Sequence, residues 1–256
     1  FPSVGATENI MCAAALAEGA TVIRNAAREP ELVELQTFLN QMGARVRGAG
    51  TDVIRIEGVD ELHGAEHTLI PDRIEAGTFM VAAAATGGEV LVEDLIVDHQ
   101  EAVIAKLLQA GIEVTRHGEA IRVAGRRPWQ AFALRSQPYP GFPTDMQPQM
   151  MALAALAQGV SIITETVYAS RFKLADELAR MGAQIRVEGR CAMVTGVESL
   201  HGTVVNATDL RAGAGLVLAG LAAEGTTWIE GVQHIERGYE DLVGKLAGLG
   251  ADISRA

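Results

Sequence analysis

The stretch Leu178-Ala179-Arg180-Met181-Gly182-Ala183-Gln184-Ile185-Arg186-Val187 changes period part-way along. Up to Met181 the apolar residues keep helical spacing. Gly182 stands where a helix commonly ends in a left-handed residue, the conformation that costs glycine least. From Gln184 polar and apolar residues alternate, which is the period of a strand. Three other stretches end alike, at 39–44, 107–112 and 246–251, and their glycines Gly43, Gly111, Gly182 and Gly250 are 68, 71 and 68 residues apart. The chain is therefore four copies of one unit.

Working outward, each copy also begins with a small-residue helix that stops before a glycine: 12–18 before Gly19, 81–85 before Gly87, 152–158 before Gly159 and 216–224 before Gly225. A strand follows each, at 21–24, 89–93, 161–164 and 226–229. In the second copy the closing pair reads as strand 113–115, a His117-Gly118 turn and strand 120–123. The fold class is α/β, with repeated βαβαββ-type units of about 70 residues. Solenoid repeats are shorter, about 20–50 residues, so these units read as subdomains around a pseudo-symmetry axis. Ile70-Pro71-Asp72 interrupts the pattern. We expect 1–70 to be the last unit of one domain and 71–256 to be a second domain of three units.

Composition excludes several classes. The 256 residues are 48% hydrophobic but only 4% aromatic, with 28 glycines, so the core is small and aliphatic. A formal charge of −11 is the opposite of a nucleic-acid footprint. An anionic substrate would have to find a local group of arginines against that field. Cys12 and Cys191 have no CxxC or Cys/His neighbour and read as free thiols of a reducing compartment. His63 and His67 are four apart, but Gly64 argues against a shared helix, so they read as surface histidines, as do His99, His117 and His201; no metal set is expected. No run of 18 uncharged apolar residues is present, so no membrane span is expected. A cytoplasmic location is the expectation. The start at Phe1, inside what reads as a loop, suggests a piece of a longer protein.

The polar residues gather where the repeats place helix starts. Tyr139-Pro140-Gly141-Phe142-Pro143-Thr144-Asp145-Met146-Gln147 ends an extended segment and opens an Ala- and Met-rich run. Thr144 or Asp145 can cap that helix, or Asp145 can take a proton from a substrate hydroxyl. Asp209-Leu210-Arg211 opens the corresponding helix of the next unit. Arg171 and Arg237 stand in equivalent loops of the third and fourth units, and Glu29 and Glu31 flank Pro30 at a helix start in the first. Each is singly compatible with a solvated pair or a cap. Three arginines at equivalent positions of an acidic chain point to an anion site. Ser3-Val4-Gly5-Ala6-Thr7 is a small-residue helix start that could hold a phosphate or merely be capped.

In this order, the stretches 3–11, 25–31, 69–78, 142–147, 163–167, 207–212 and 237–240 resemble the UDP-N-acetylglucosamine 1-carboxyvinyltransferases, a family of enolpyruvyl transferases, over the whole chain. The resemblance implies two inside-out α/β domains of three units each, with the active site in the cleft between them. It implies transfer of the enolpyruvyl group of phosphoenolpyruvate to the 3-hydroxyl of UDP-N-acetylglucosamine, with release of phosphate, at the start of peptidoglycan synthesis. By motif, Asp145 corresponds to the carboxylate that takes the hydroxyl proton. Arg171, Arg211 and Arg237 correspond to the cations around phosphoenolpyruvate, with Asp209 beside them. Ser3, Val4, Gly5 and Val167 correspond to contacts with the UDP-sugar, and Glu29 to a residue facing the substrates.

The family also has an amino-terminal part with a Lys-Asn pair, a further arginine and a loop whose Cys or Asp donates a proton. None of these is in the present residues, so this chain alone is expected to be an inactive fragment whose partner is that part. No cofactor is implied. Two other readings remain: a transferase of the same superfamily with another acceptor, such as 3-phosphoshikimate, or a nucleotide-sugar-binding module that has lost catalysis.

Overall fold

The computed structural model describes residues 1–255. The chain forms two compact units, Phe1–Pro71 with Pro138–Gly141, and Asp72–Gln137 with the chain from Phe142 onward.

In the first unit α1 (Val4–Ala14) and α2 (Pro30–Gln41) accompany β1 (Ala20–Arg24), β2 (Arg45–Arg47) and β3 (Val53–Glu57). The strands make an antiparallel sheet in the order β1-β3-β2. Alternation in β3 sends Ile54 and Ile56 inward, where they join Met11, Leu32, Leu39 and Val46 in the unit's own core.

The second unit runs α3 (Arg73–Thr86), β4 (Glu89–Val92), α4 (Glu101–Gln109), β5 (Glu113–His117) and β6 (Ala120–Ala124). It continues with β7 (Ala133–Arg135), α5 (Gln147–Ala154), β8 (Val160–Thr164), α6 (Leu174–Arg180), β9 (Gln184–Glu188) and β10 (Cys191–Thr195). The last copy contains β11 (Val204–Asn206), α7 (Leu210–Ala222), β12 (Trp228–Glu230), α8 (Gln233–Glu236) and α9 (Leu242–Gly248). The sheets are β4-β6-β5, β7-β8-β10-β9 and β11-β12. The short strands β7 and β11 lead into their units and pair in parallel with β8 and β12. At three residues each they are too brief to show a period.

Helices α3, α5 and α7 pack on one another at the centre, and the sheets lie outside them. Every residue of α5 is buried, so it needs small or flexible side chains all round rather than one apolar stripe. Glycine is required where two central elements touch: a Cβ on Gly213 would lie 2.4 Å from Ile235 Cγ1, and one on Gly215 would lie 3.0 Å from the Pro148 carbonyl.

Two backbone devices recur. In all four copies the residue after the glycine donates its N–H to a carbonyl five residues back: Ala44 to Leu39, Ile112 to Leu107, Ala183 to Leu178 and Ala251 to Leu246. The glycines themselves have φ of 99°, 83°, 96° and 94°. This is the Schellman closure that the sequence pattern predicts. In three copies the strand leaving the unit passes the end of its first helix, with Gly58, Gly125 and Gly196 donating to the carbonyls of Gly19, Gly88 and Gly159. A Cβ on Gly58 or Gly196 would sit 1.6 Å from the Ala17 or Ala157 oxygen.

That crossing corrects two helix assignments. The helices expected over 12–18 and 152–158 end at Ala14 and Ala154. The carbonyls of Ala15 and Ala155 accept instead from Val59 and Val197, at 2.9 and 2.8 Å. The strand expected over 226–229 begins only at Trp228. His67 is not a surface histidine. Its side chain is 8% exposed, stacks on Phe38, and lies 2.7 Å from Glu34 and 2.8 Å from Gln41, tying the following segment to α2. Among the described residues no three His, Cys, Asp or Glu side chains form a metal-sized cluster, and no helix is long and apolar enough to cross a membrane.

Candidate active site

In the second unit a pocket of about 290 Å³ is lined by Asp145, Tyr168, Arg171, Asp209, Leu210, Arg211 and Arg237. Five of the residues singled out in the sequence meet there, delivered by four separate segments. Asp145 lies in a short 3-10 turn, Thr144–Met146, that precedes α5. Arg171 lies in a second such turn, Ala169–Lys173, ahead of α6. Asp209 and Arg211 open α7, and Arg237 follows α8.

Asp145 and Asp209 occupy corresponding helix starts but use their charge differently. Asp209 is a helix cap: its Oδ1 accepts the N–H groups of Arg211 and Ala212 at 2.9 and 3.0 Å. Asp145 caps nothing, which closes the capping alternative for that residue. Its Oδ1 accepts from Arg171 Nη2 at 2.6 Å and its Oδ2 from Arg211 Nε at 3.0 Å. Asp209 completes the group, 3.7 Å from Arg171 Nη1. Thr144 is not a cap either; its hydroxyl donates to Glu165.

Three arginines against two carboxylates leave the pocket one positive charge. Arg171 and Arg211 are nearly buried and already paired, whereas Arg237 is exposed and has no ion pair among the described residues. The pocket can thus receive an anion at Arg237 while holding two further guanidiniums in reserve.

Beneath Arg211 lies a buried polar layer that the sequence reading missed. Tyr239 Oη is 2.9 Å from Thr78 Oγ1, accepts from Gln149 Nε2 at 3.3 Å, and receives Arg211 Nη1 at 3.4 Å. Burial pushes the Tyr239 hydroxyl pKa up, against the opposing pull of Arg211 and Thr78. Burial also works against the charge of Arg211, but Asp145 and Tyr239 outweigh it and hold the pKa of its guanidinium above the ordinary value. A signal existed: the chain has three tyrosines, and two of them, Tyr168 and Tyr239, lie against the site arginines, 4.9 and 5.7 Å from the guanidinium carbons.

Val167 stands on the exposed loop just before Arg171 and does not line the pocket. The remaining candidates belong to the first unit. The Ser3 hydroxyl caps α1 by accepting from Ala6 N–H at 3.3 Å, Val4 is half-buried, and Gly5 opens on empty space. Glu29 precedes α2, with Oε2 accepting from Arg28 N–H and Oε1 from Tyr139 N–H. Glu8, Glu29 and Glu31 lie near one another; burial first, and then the two neighbouring charges, raise the Glu8 pKa.

Comparison with known proteins follows this geometry. Residues 1–246 match the sequence profile of EPSP synthase (3-phosphoshikimate 1-carboxyvinyltransferase). The UDP-N-acetylglucosamine 1-carboxyvinyltransferase 1 of Caldanaerobacter subterraneus subsp. tengcongensis is 62% identical over 255 residues, and that of Symbiobacterium thermophilum 63%. In both cases all of this chain is covered, but it spans only 61% and 58% of the relative's length. Among solved structures, the enolpyruvyl transferase NikO from Streptomyces tendae superposes with a TM-score of 0.86 at 31% identity, over 98% of this chain and 60% of that one. An EPSP synthase from Acinetobacter baumannii shares the fold, with a TM-score of 0.72 at 23% identity over 100% of this chain and 62% of that one.

Proposed function

The chain belongs to the EPSP synthase (3-phosphoshikimate 1-carboxyvinyltransferase) family, and from that premise we propose that it serves transfer of the enolpyruvyl group of phosphoenolpyruvate to the 3-hydroxyl of UDP-N-acetylglucosamine, with release of phosphate. The choice of acceptor rests on relatives above 60% identity that carry this name, against 23% for the EPSP synthase structure. The observation that carries the reading is Asp145 held between Arg171 and Arg211 in a pocket with one spare arginine.

Phosphoenolpyruvate brings a carboxylate and a phosphate, both suited to guanidinium recognition. Arg237 receives the anion, and Arg171 or Arg211 turns to it. One oxygen of Asp145 is then released to take the proton of the acceptor hydroxyl. The hydroxyl oxygen bonds to C2 of the enolpyruvyl group, the bond from C2 to the phosphate oxygen breaks, and the arginines stabilise the departing charge. Asp209 keeps Arg211 and Arg171 aligned throughout. Ser3, Val4, Gly5 and Val167 serve the UDP-sugar, and Glu29 faces the substrates. The amino-terminal part that the resemblance implies gives a proton to the methylene carbon as the new C2–O bond forms, and a proton is taken back from that methyl as the phosphate leaves, which restores the C=CH2 double bond. Residues 1–70 then form the last unit of one domain and 71–256 three units of another, in a cytoplasmic enzyme of peptidoglycan synthesis.

The test is phosphate release from phosphoenolpyruvate by the protein at the full length of its relatives, with UDP-N-acetylglucosamine and shikimate 3-phosphate as parallel acceptors. Release with the UDP-sugar alone is expected. Release with shikimate 3-phosphate alone would reassign the acceptor. Tight UDP-sugar binding with no turnover would make the protein a binding module.

A further inference from the structure

Glu165, the residue after β8, is completely buried and has no ion pair among the described residues, yet its side chain accepts four hydrogen bonds. Oε1 receives the Ser136 hydroxyl at 2.5 Å and the N–H groups of Val167 and Tyr168 at 2.7 and 2.9 Å. Oε2 receives the Thr144 hydroxyl at 2.9 Å. The hydroxyl directions are forced. Ser136 Oγ also accepts the N–H of Thr166 at 2.9 Å, and Thr144 Oγ1 faces Arg171 Nε–H at 3.4 Å. Both of those partners can only donate, so each hydroxyl hydrogen is left for Glu165. A buried carboxylate is costly unless it is satisfied in this way. None of these contacts reaches substrate directly. Their common result is to place the loop that leads to Arg171 and the residue beside Asp145.

We propose that Glu165 is the positioning residue of this site. Its charge orients the Thr144 hydroxyl so that an oxygen lone pair meets Arg171 Nε, and Arg171 in turn presents Nη2 to Asp145. The proposal rests on the reading of this pocket as the site where the anion binds.

The amide variant isolates the link. In Glu165→Gln the –NH2 cannot replace Oε1, which meets three donors, so it must replace Oε2 and face Thr144. The loop contacts survive, while the Thr144 hydroxyl must accept from the amide, and its hydrogen, no longer held at Glu165, is free to turn toward Arg171 and weaken that contact. Thr144→Val removes the hydroxyl and leaves Glu165 in place. The measurement is exchange of the Arg171 Nε–H with water, read by nitrogen-edited NMR, beside a titration with inorganic phosphate.

Exchange about five- to tenfold faster is expected in both variants, the worth of one modest hydrogen bond. The double variant should add nothing further, and Thr144→Ser should behave as the parent. Phosphate affinity should fall by a similar factor in the affected variants, and Thr144→Val, which takes from Glu165 Oε2 its hydroxyl donor, should melt lower than Thr144→Ser. An Arg171 signal unchanged in Glu165→Gln and Thr144→Val overturns the proposal. If Glu165→Gln does not fold, Thr144→Val decides alone. Failure of the parent to bind phosphate would overturn the functional reading, and the Arg171 signal would still decide for or against Glu165.

Discussion

At the scale of single residues, the site is defined by what each carboxylate holds. Asp145 gives both oxygens to guanidiniums, and Asp209 gives one to backbone amides. Replacing Asp145 by Asn should therefore have two opposite effects. Loss of the proton acceptor should slow phosphate release by about 10²–10⁴-fold. Loss of the competing charge should let inorganic phosphate bind several-fold tighter, since Arg211 loses the carboxylate paired with its guanidinium and Arg171 keeps only the more distant Asp209. Calorimetric titration beside the rate assay checks the pair, and weaker phosphate binding would argue that Asp145 shapes the pocket rather than occupying it. Tyr239 gives a pH signature. Its hydroxyl pKa is raised by burial above the ordinary 10.0, so the folded chain keeps a proton that the unfolded chain loses. Stability should fall as pH rises from about 10 through the folded value. Tyr239→Phe should cost about 1 kcal/mol at neutral pH through lost hydrogen bonds, and flatten that alkaline decline. Urea denaturation at several pH values reads both. Little of this layer was legible beforehand. The arginines and Asp145 stood out by type and place, but the partners of Asp145 lie 26 and 66 residues away, and no local pattern says whether a helix-start Asp will cap or pair.

At the scale of elements, the repeat was legible because backbone geometry demanded it. Left-handed glycines after helices recur in all four copies whatever side chains surround them. Helix ends were less legible at Ala14 and Ala154, since the crossing strand that takes the carbonyls of Ala15 and Ala155 comes from 40 or more residues downstream. The two kinds of glycine should respond differently to alanine. Gly111 has open space where a Cβ would stand, so Gly111→Ala should cost only the left-handed conformation, about 1–2 kcal/mol. At Gly196 the new atom would collide with a carbonyl, and Gly196→Ala should cost more than about 4 kcal/mol or prevent folding. Equal losses would show that the crossing is soft.

At the scale of the whole molecule, the two compact units have separate apolar cores among the described residues, one of Met11, Leu32 and Ile54 and their neighbours, the other around α3, α5 and α7. Each can unfold cooperatively by itself. Scanning calorimetry should show two transitions, and Tyr239→Phe should move one of them. A single transition that shifts as a whole would mean the units unfold together. The net charge of −11 belongs to this scale too, and it argues against nonspecific nucleic-acid binding, which needs a basic footprint. The grouping of Pro138–Gly141 with the first unit was not readable, because those four residues are remote in sequence from the rest of it.

The passage of Gly58, Gly125 and Gly196 against a carbonyl-bearing turn has a consequence for anyone cutting and rejoining such chains. The seam between the start and finish of a unit is written in main-chain atoms, which every residue type supplies, and in one position that must carry no side chain. A module transplanted from a distant relative should therefore knit into its new host when that one hydrogen atom is kept where a methyl would otherwise stand, however foreign its remaining letters.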